Sequence, residues 1–109
     1  MENLFIARFA AESACSGGTG YCNVRILANA FEMAPVVGTD YAFDSTDNGA
    51  ESSASWEGRA MERSLPLCGQ FNTVTIKVQY RVTNAATTFR LDDWHLTGEQ
   101  FSTGGSCIP

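Results

Sequence analysis

Four cysteines, at positions 15, 22, 68 and 107 of 109 residues, constrain this chain more than any other feature. No two of them have the CxxC spacing of a zinc or thioredoxin-like site, and an even count in so short a chain points to disulfides, which persist in oxidising compartments. The expectation is an extracellular or cell-surface protein in which Cys15 bridges Cys22 and Cys68 bridges Cys107. Four cysteines allow three connectivities, and reduced buried thiols in a cytosolic protein are the other reading. In the loop-entropy picture the shorter bridge would contribute about 2.5 kcal/mol and the longer about 4 kcal/mol.

Composition narrows the class further. Hydrophobic residues make up 44% of the chain and charged ones 17%, which suits one independently folding domain over residues 1–109. The net charge is −5, and no cluster of Lys or Arg offsets it, so nucleic acid and anionic membranes are poor partners. The longest apolar stretch, Val24 to Val37, is broken by Arg25, Asn29, Glu32 and Pro35, and falls short of the roughly 20 residues that cross a bilayer. Membrane insertion is not expected. Met1-Glu2-Asn3 lacks the basic start of a secretory signal, so the chain is expected to be a mature form or an excised domain.

Alternation with period two dominates the pattern. Val74, Ile76, Val78, Tyr80 and Val82 share one face of a strand, and Thr75, Lys77, Gln79 and Arg81 share the other. Phe5, Ala7 and Phe9 line one face of Leu4 to Ala10, and Val24 and Ile26 oppose Arg25 in Cys22 to Ala28. Asn29-Ala30 occupies the place of a two-residue hairpin turn. Pro35 then ends the strand that follows. Trp56 to Leu67 reads as a strand with Trp56, Gly58 and Ala60 on one face, its end marked by Pro66. Asp44 to Ser55 reads as a loop. In Phe89 to Thr97 the apolar phase slips at Asp92-Asp93, which predicts a β-bulge. Residues 98–109 read as an irregular tail held by Cys107. Seven or eight short strands without a helix imply an all-β, two-sheet antiparallel sandwich, disulfide-bonded, with a closed barrel as the alternative.

The runs Ile6-Ala7-Arg8-Phe9-Ala10-Ala11-Glu12-Ser13, Val24-Arg25-Ile26-Leu27, Val74 to Tyr80 and Phe89 to Leu96 resemble jelly-roll modules of secreted bacterial proteins. These are akin to C1q/TNF-like heads and carbohydrate-binding modules. The resemblance covers most of the chain but lies in strand order and short apolar phrases. It implies a jelly roll, and a structural calcium held by an early-strand Glu and a late-strand Asp; Glu12 and Asp92 or Asp93 stand in those places.

Few residues fit catalysis. His95 is the one histidine, no G-x-S-x-G elbow is present, and the serines lie in flexible tracts where a nucleophile would not be held. A glycosidase needs two carboxylates on either side of a cleft, and Asp92, Asp93, Glu57 and Glu62 are the candidates. No catalytic residue is assigned. Asp40, Asp44, Asp47, Asn48 and Glu51 offer hard oxygen ligands for calcium within one segment, but without EF-hand spacing, and a solvated acidic loop is the alternative.

Binding needs less. Trp94, flanked by Asp92, Asp93 and His95, is the expected ligand-stacking ring, with Tyr41 as a further one, and Trp56 is expected in the core. Carbohydrate or another cell-surface ligand is the expected partner. Leu27, Met33, Val36 and Val37 form an apolar remainder that would favour a homo-oligomer.

Overall fold

The computed structural model describes residues 2–36, 42–46, 56–68 and 73–102. Seven strands make up the described chain: β1 (Glu2–Ser16), β2 (Tyr21–Ala28), β3 (Phe31–Glu32), β4 (Asp44–Ser45), β5 (Glu57–Cys68), β6 (Ile76–Val82) and β7 (Thr88–Ser102). They form two antiparallel sheets. In the first, β1 lies between β5 and β7; in the second, β2 pairs with β6 along one edge and with the short β3 and β4 along the other. The all-β, two-sheet architecture expected from alternation is therefore present. A jelly roll is a narrower statement, since it needs eight strands in two Greek keys.

Alternation decides which side chains go inside. Phe5, Ala7, Phe9 and Ala11 of β1 meet Val24, Ile26 and Ala28 of β2, and Met33 and Phe43 complete the buried cluster. Both central strands are covered on one face by the opposite sheet, which is why their odd-numbered and even-numbered apolar sets respectively vanish from solvent. Of the expected apolar remainder, Leu27 and Met33 are buried and Val36 is exposed. Val37 lies outside the described residues.

Local chemistry sets the connections. Asn29 and Ala30 both adopt positive φ, 48° and 73°, giving the mirror-image turn whose twist matches a hairpin. The Asn29 side chain accepts the Thr75 N–H at 2.9 Å and so also anchors the entry to β6. Cys15 and Cys22 are joined, with a Cα separation of 6.1 Å, and the bridge ties the end of β1 to the start of β2 across the two sheets. Between them Gly17 has φ 91°, and a Cβ there would stand 2.5 Å from the Ala86 carbonyl oxygen, so glycine is required on both counts. The expected Cys68–Cys107 pairing lies outside the described residues.

Four sequence expectations are corrected. β5 runs through Pro66 to Cys68, because it is an edge strand and a missing N–H on the open side costs no ladder bond. Its inward residues are those opposite Phe5 and Phe9, namely Leu65 and Met61, so Gly58 and Ala60 face outward. Trp56 is 41% exposed rather than in the core. β7 also continues through Gly98 to Ser102, so any tail begins later than residue 98.

The sandwich is unequal at its two sides. Beyond β3, Ala34 and Ser64 exchange backbone hydrogen bonds of 2.8 and 2.9 Å, stitching the second sheet to β5 of the first. On the opposite side, among the described residues, β6 pairs only with β2, and β7 only with β1. The structure is thus closed along one edge and open along the other.

Candidate functional site

The open edge is where the candidate site lies. Ile76, Val78 and Tyr80 of β6 face Phe89, Leu91, Trp94 and Leu96 of β7 across a cleft of about 700 Å³ floored by Phe9 and bordered by Arg90. Ile76, Val78, Phe89, Leu91 and Leu96 are partly buried against the core, whereas Tyr80 and Trp94 at the rim are each 66% exposed. Tyr80 is the surprise of the alternating β6 pattern. Period two assigns it to the apolar face, but β6 is an edge strand and nothing lies beyond it.

A β-bulge builds the β7 wall. The register between β1 and β7 shifts between Ala10 and Glu12, leaving Ala11 opposite both Asp93 and Trp94, and Asp93 takes φ 50°. One extra residue changes the parity of the strand. Phe89 and Leu91 before the bulge and Trp94 and Leu96 after it therefore share the cleft face, as the phase slip in the sequence predicts.

Aromatic packing carries rigidity from the core to the mouth. Phe9 and Phe43 lie 5.7 Å apart, Phe43 and Phe89 6.3 Å, and Phe89 and Tyr80 6.0 Å in an edge-to-face pair at 89°. Such pairs add about 1 kcal/mol each beyond simple burial. A ligand stacked on Tyr80 would rest on a ring already fixed from below.

The polar residues expected around Trp94 divide between two faces. Asp92 is registered with Glu12 and His95 with Ala10, both even positions of β1, whose side chains leave the sheet on the side away from the cleft. Glu12, Asp92 and Asp93 come together there, their carboxylate oxygens within 4.8 Å of one another and exposed. An early-strand Glu and late-strand Asp thus do converge, in an arrangement able to chelate a hard divalent cation. Trp94 faces the cleft, so Asp92 and His95 reach a ligand there only around the β7 edge. The bulge separates Asp92 from Trp94, and ordinary alternation separates His95.

Asp44 has a different position from the one expected. It is 3% exposed, accepts a hydrogen bond from Ser13 Oγ at 2.7 Å and pairs with Arg59 at 3.2 Å. A buried carboxylate needs such partners, and here they are protein groups that tie β4 to β1 and β5. Asp47 and Tyr41 lie outside the described residues. Glu57 pairs with Arg59 and Glu62 with Arg8, both on the first sheet. Arg8 lies between Glu99 and Glu62, and the hydrogen bond it donates to Glu99, with the charge of Glu62, raises its pKa above the usual value.

The cleft residues Tyr80, Phe89, Leu91 and Leu96 are not singled out by sequence reasoning. Their alternation marks them as core, and only the sheet order leaves them uncovered. No family model, curated protein or solved structure matches the chain.

Proposed function

We propose that this chain is a non-catalytic extracellular binding module of jelly-roll type, and that the cleft between β6 and β7 takes a carbohydrate of a cell surface. The observation that carries this reading is the pair of exposed rings, Trp94 and Tyr80, on opposite walls of a cleft otherwise lined by aliphatic and aromatic side chains. Sugar rings present C–H faces that stack on such surfaces, while the Tyr80 hydroxyl and Arg90 offer hydrogen bonds to ring hydroxyls. The absence of catalysis is argued from chemistry: no carboxylate, histidine or nucleophile is among the residues lining the cleft. The Cys15–Cys22 bridge supports an oxidising compartment.

A glycan array followed by titration of the hits tests this reading. Neutral oligosaccharides are expected to bind the parent and to lose at least about tenfold in affinity with Trp94→Ala at unchanged fold. Hits indifferent to Trp94 would refute the cleft as the site.

A second reading is favoured by the same open edge. Among the described residues β6 and β7 each have one side without a strand partner, and unpaired edges beside an apolar cleft are the ordinary means of self-association. A defined oligomer in light scattering, lost when Trp94 and Tyr80 are both replaced, would support assembly over sugar binding.

A further inference from the structure

We infer that the outer face of the second sheet holds a separate site for a carboxylate-bearing sugar, such as a uronic acid residue of an anionic glycan. A groove of about 680 Å³ lies there, lined by Asn23 and Arg25 of β2, Glu32, Val36, and Gln79 and Arg81 of β6. The inference rests on the carbohydrate reading for the ligand class, but concerns a different chemistry and the outer face of the sheet, with Val78 and Tyr80 of β6 bordering both hollows.

The first argument is an unmet hydrogen bond. Asn23 is 2% exposed, and its Oδ1 is buried without a partner. A buried amide oxygen left unpaired costs about 1–3 kcal/mol, and native structures rarely keep one without a reason. At the floor of a polar groove, the missing partner is a donor brought by the ligand. A hydroxyl suits the position because it can both give and accept, whichever way the amide is turned.

The second argument is charge. The chain carries −5 overall, yet the outward set of β2 and β6 contains Arg25, Lys77 and Arg81 against Glu32. Arg25 is held in place, its Nε donating to Gln79 Oε1 at 2.7 Å and its Nη1 lying 3.2 Å from Glu32. Arg81 makes no ion pair among the described residues. It stands directly across the strand pair from Asn23, with Arg25 two residues further along the same face. Cross-strand neighbours are about 5 Å apart and alternate residues about 7 Å apart, a spacing that matches the hydroxyl-to-carboxylate span of one sugar ring.

A ligand with both groups therefore fits better than either a neutral sugar or a simple anion. The carboxylate would accept from the Arg81 guanidinium, a ring hydroxyl would donate to Asn23, and the exposed side chain of Val36 would meet a C–H face. A neutral sugar would leave Arg81 unused. A simple anion would leave Asn23 unpaired.

Isothermal titration of the parent with an oligogalacturonate, beside a neutral oligosaccharide of equal length, tests the inference. Arg81→Gln is the informative variant because Arg81 is exposed and its loss should leave the fold intact. The oligogalacturonate is expected to bind the parent, to weaken as salt rises, to lose about tenfold in affinity with Arg81→Gln, and to be indifferent to Trp94→Ala. Absence of oligogalacturonate binding, or binding unaltered by Arg81→Gln, would overturn the site. So would binding that Trp94→Ala abolishes, since that places the anionic glycan in the cleft. Neutral-sugar binding sensitive to Trp94, with no oligogalacturonate binding beside it, would uphold the cleft while refuting this second site.

Discussion

At the scale of single residues, backbone strain and crowded charge are the features most open to test. Ala30 occupies φ 73° in the second position of the hairpin turn, where a Cβ crowds the following carbonyl and glycine does not. Ala30→Gly is expected to stabilise the protein by about 0.5–1 kcal/mol, the relief of strain outweighing the added freedom of the unfolded chain, as read from urea unfolding midpoints. A loss of stability would show that the turn does not take this form in solution. Glu12, Asp92 and Asp93 present the opposite case, like charges held close together in the open. With a chelator present, Asp92→Asn is expected to melt above the parent because one source of repulsion is gone. Added calcium should then raise the parent and leave the variant little changed. Equal melting of the two proteins in chelator would contradict the crowding, and no response of the parent to calcium would remove the cation.

Elements differ in how far the sequence reveals them. β1, β2 and β6 are legible because each alternates cleanly, and the β7 bulge is legible because Phe89 and Leu91 fall out of phase with Trp94 and Leu96. β5 is legible as a strand over Trp56 to Leu67 but its facing is not, since its inward side carries Arg59 and Arg63 beside Met61, and Arg59 on a core face makes sense only once the buried Asp44 is seen to pair with it. β4 is two residues long and is created by pairing to β2, so no local pattern announces it. The candidate cleft is half legible: alternation finds its side chains, but whether they are covered depends on which strands end at an edge. Hydrogen exchange reads those edges. Amides of β1, bonded on both sides, are expected to exchange slowest, and the β6 and β7 amides that point away from their partners fastest. Strong protection of the outward β7 amides would instead mean that another strand is paired there, the signature of self-association.

The whole molecule is a sandwich stitched shut along the Ala34–Ser64 side and open along the β6–β7 side, with its disulfide at one end holding the two sheets together. This asymmetry explains why a chain with 44% hydrophobic residues still leaves Trp94 and Tyr80 in solvent. Two three- or four-stranded sheets fully cover only their central strands, and the flanking apolar side chains stay partly in solvent. The proposal that the cleft binds a carbohydrate makes Trp94 its contact residue. Its most direct test is the indole N–H resonance of Trp94 in a proton–nitrogen correlation spectrum, assigned by its disappearance in Trp94→Phe and followed as an array-selected oligosaccharide is added. The account predicts a saturable shift of that resonance, while the indole of Trp56, just before β5 at the far edge of the first sheet, stays in place. A shift confined to Trp56, or saturation of binding with neither indole perturbed, would contradict it.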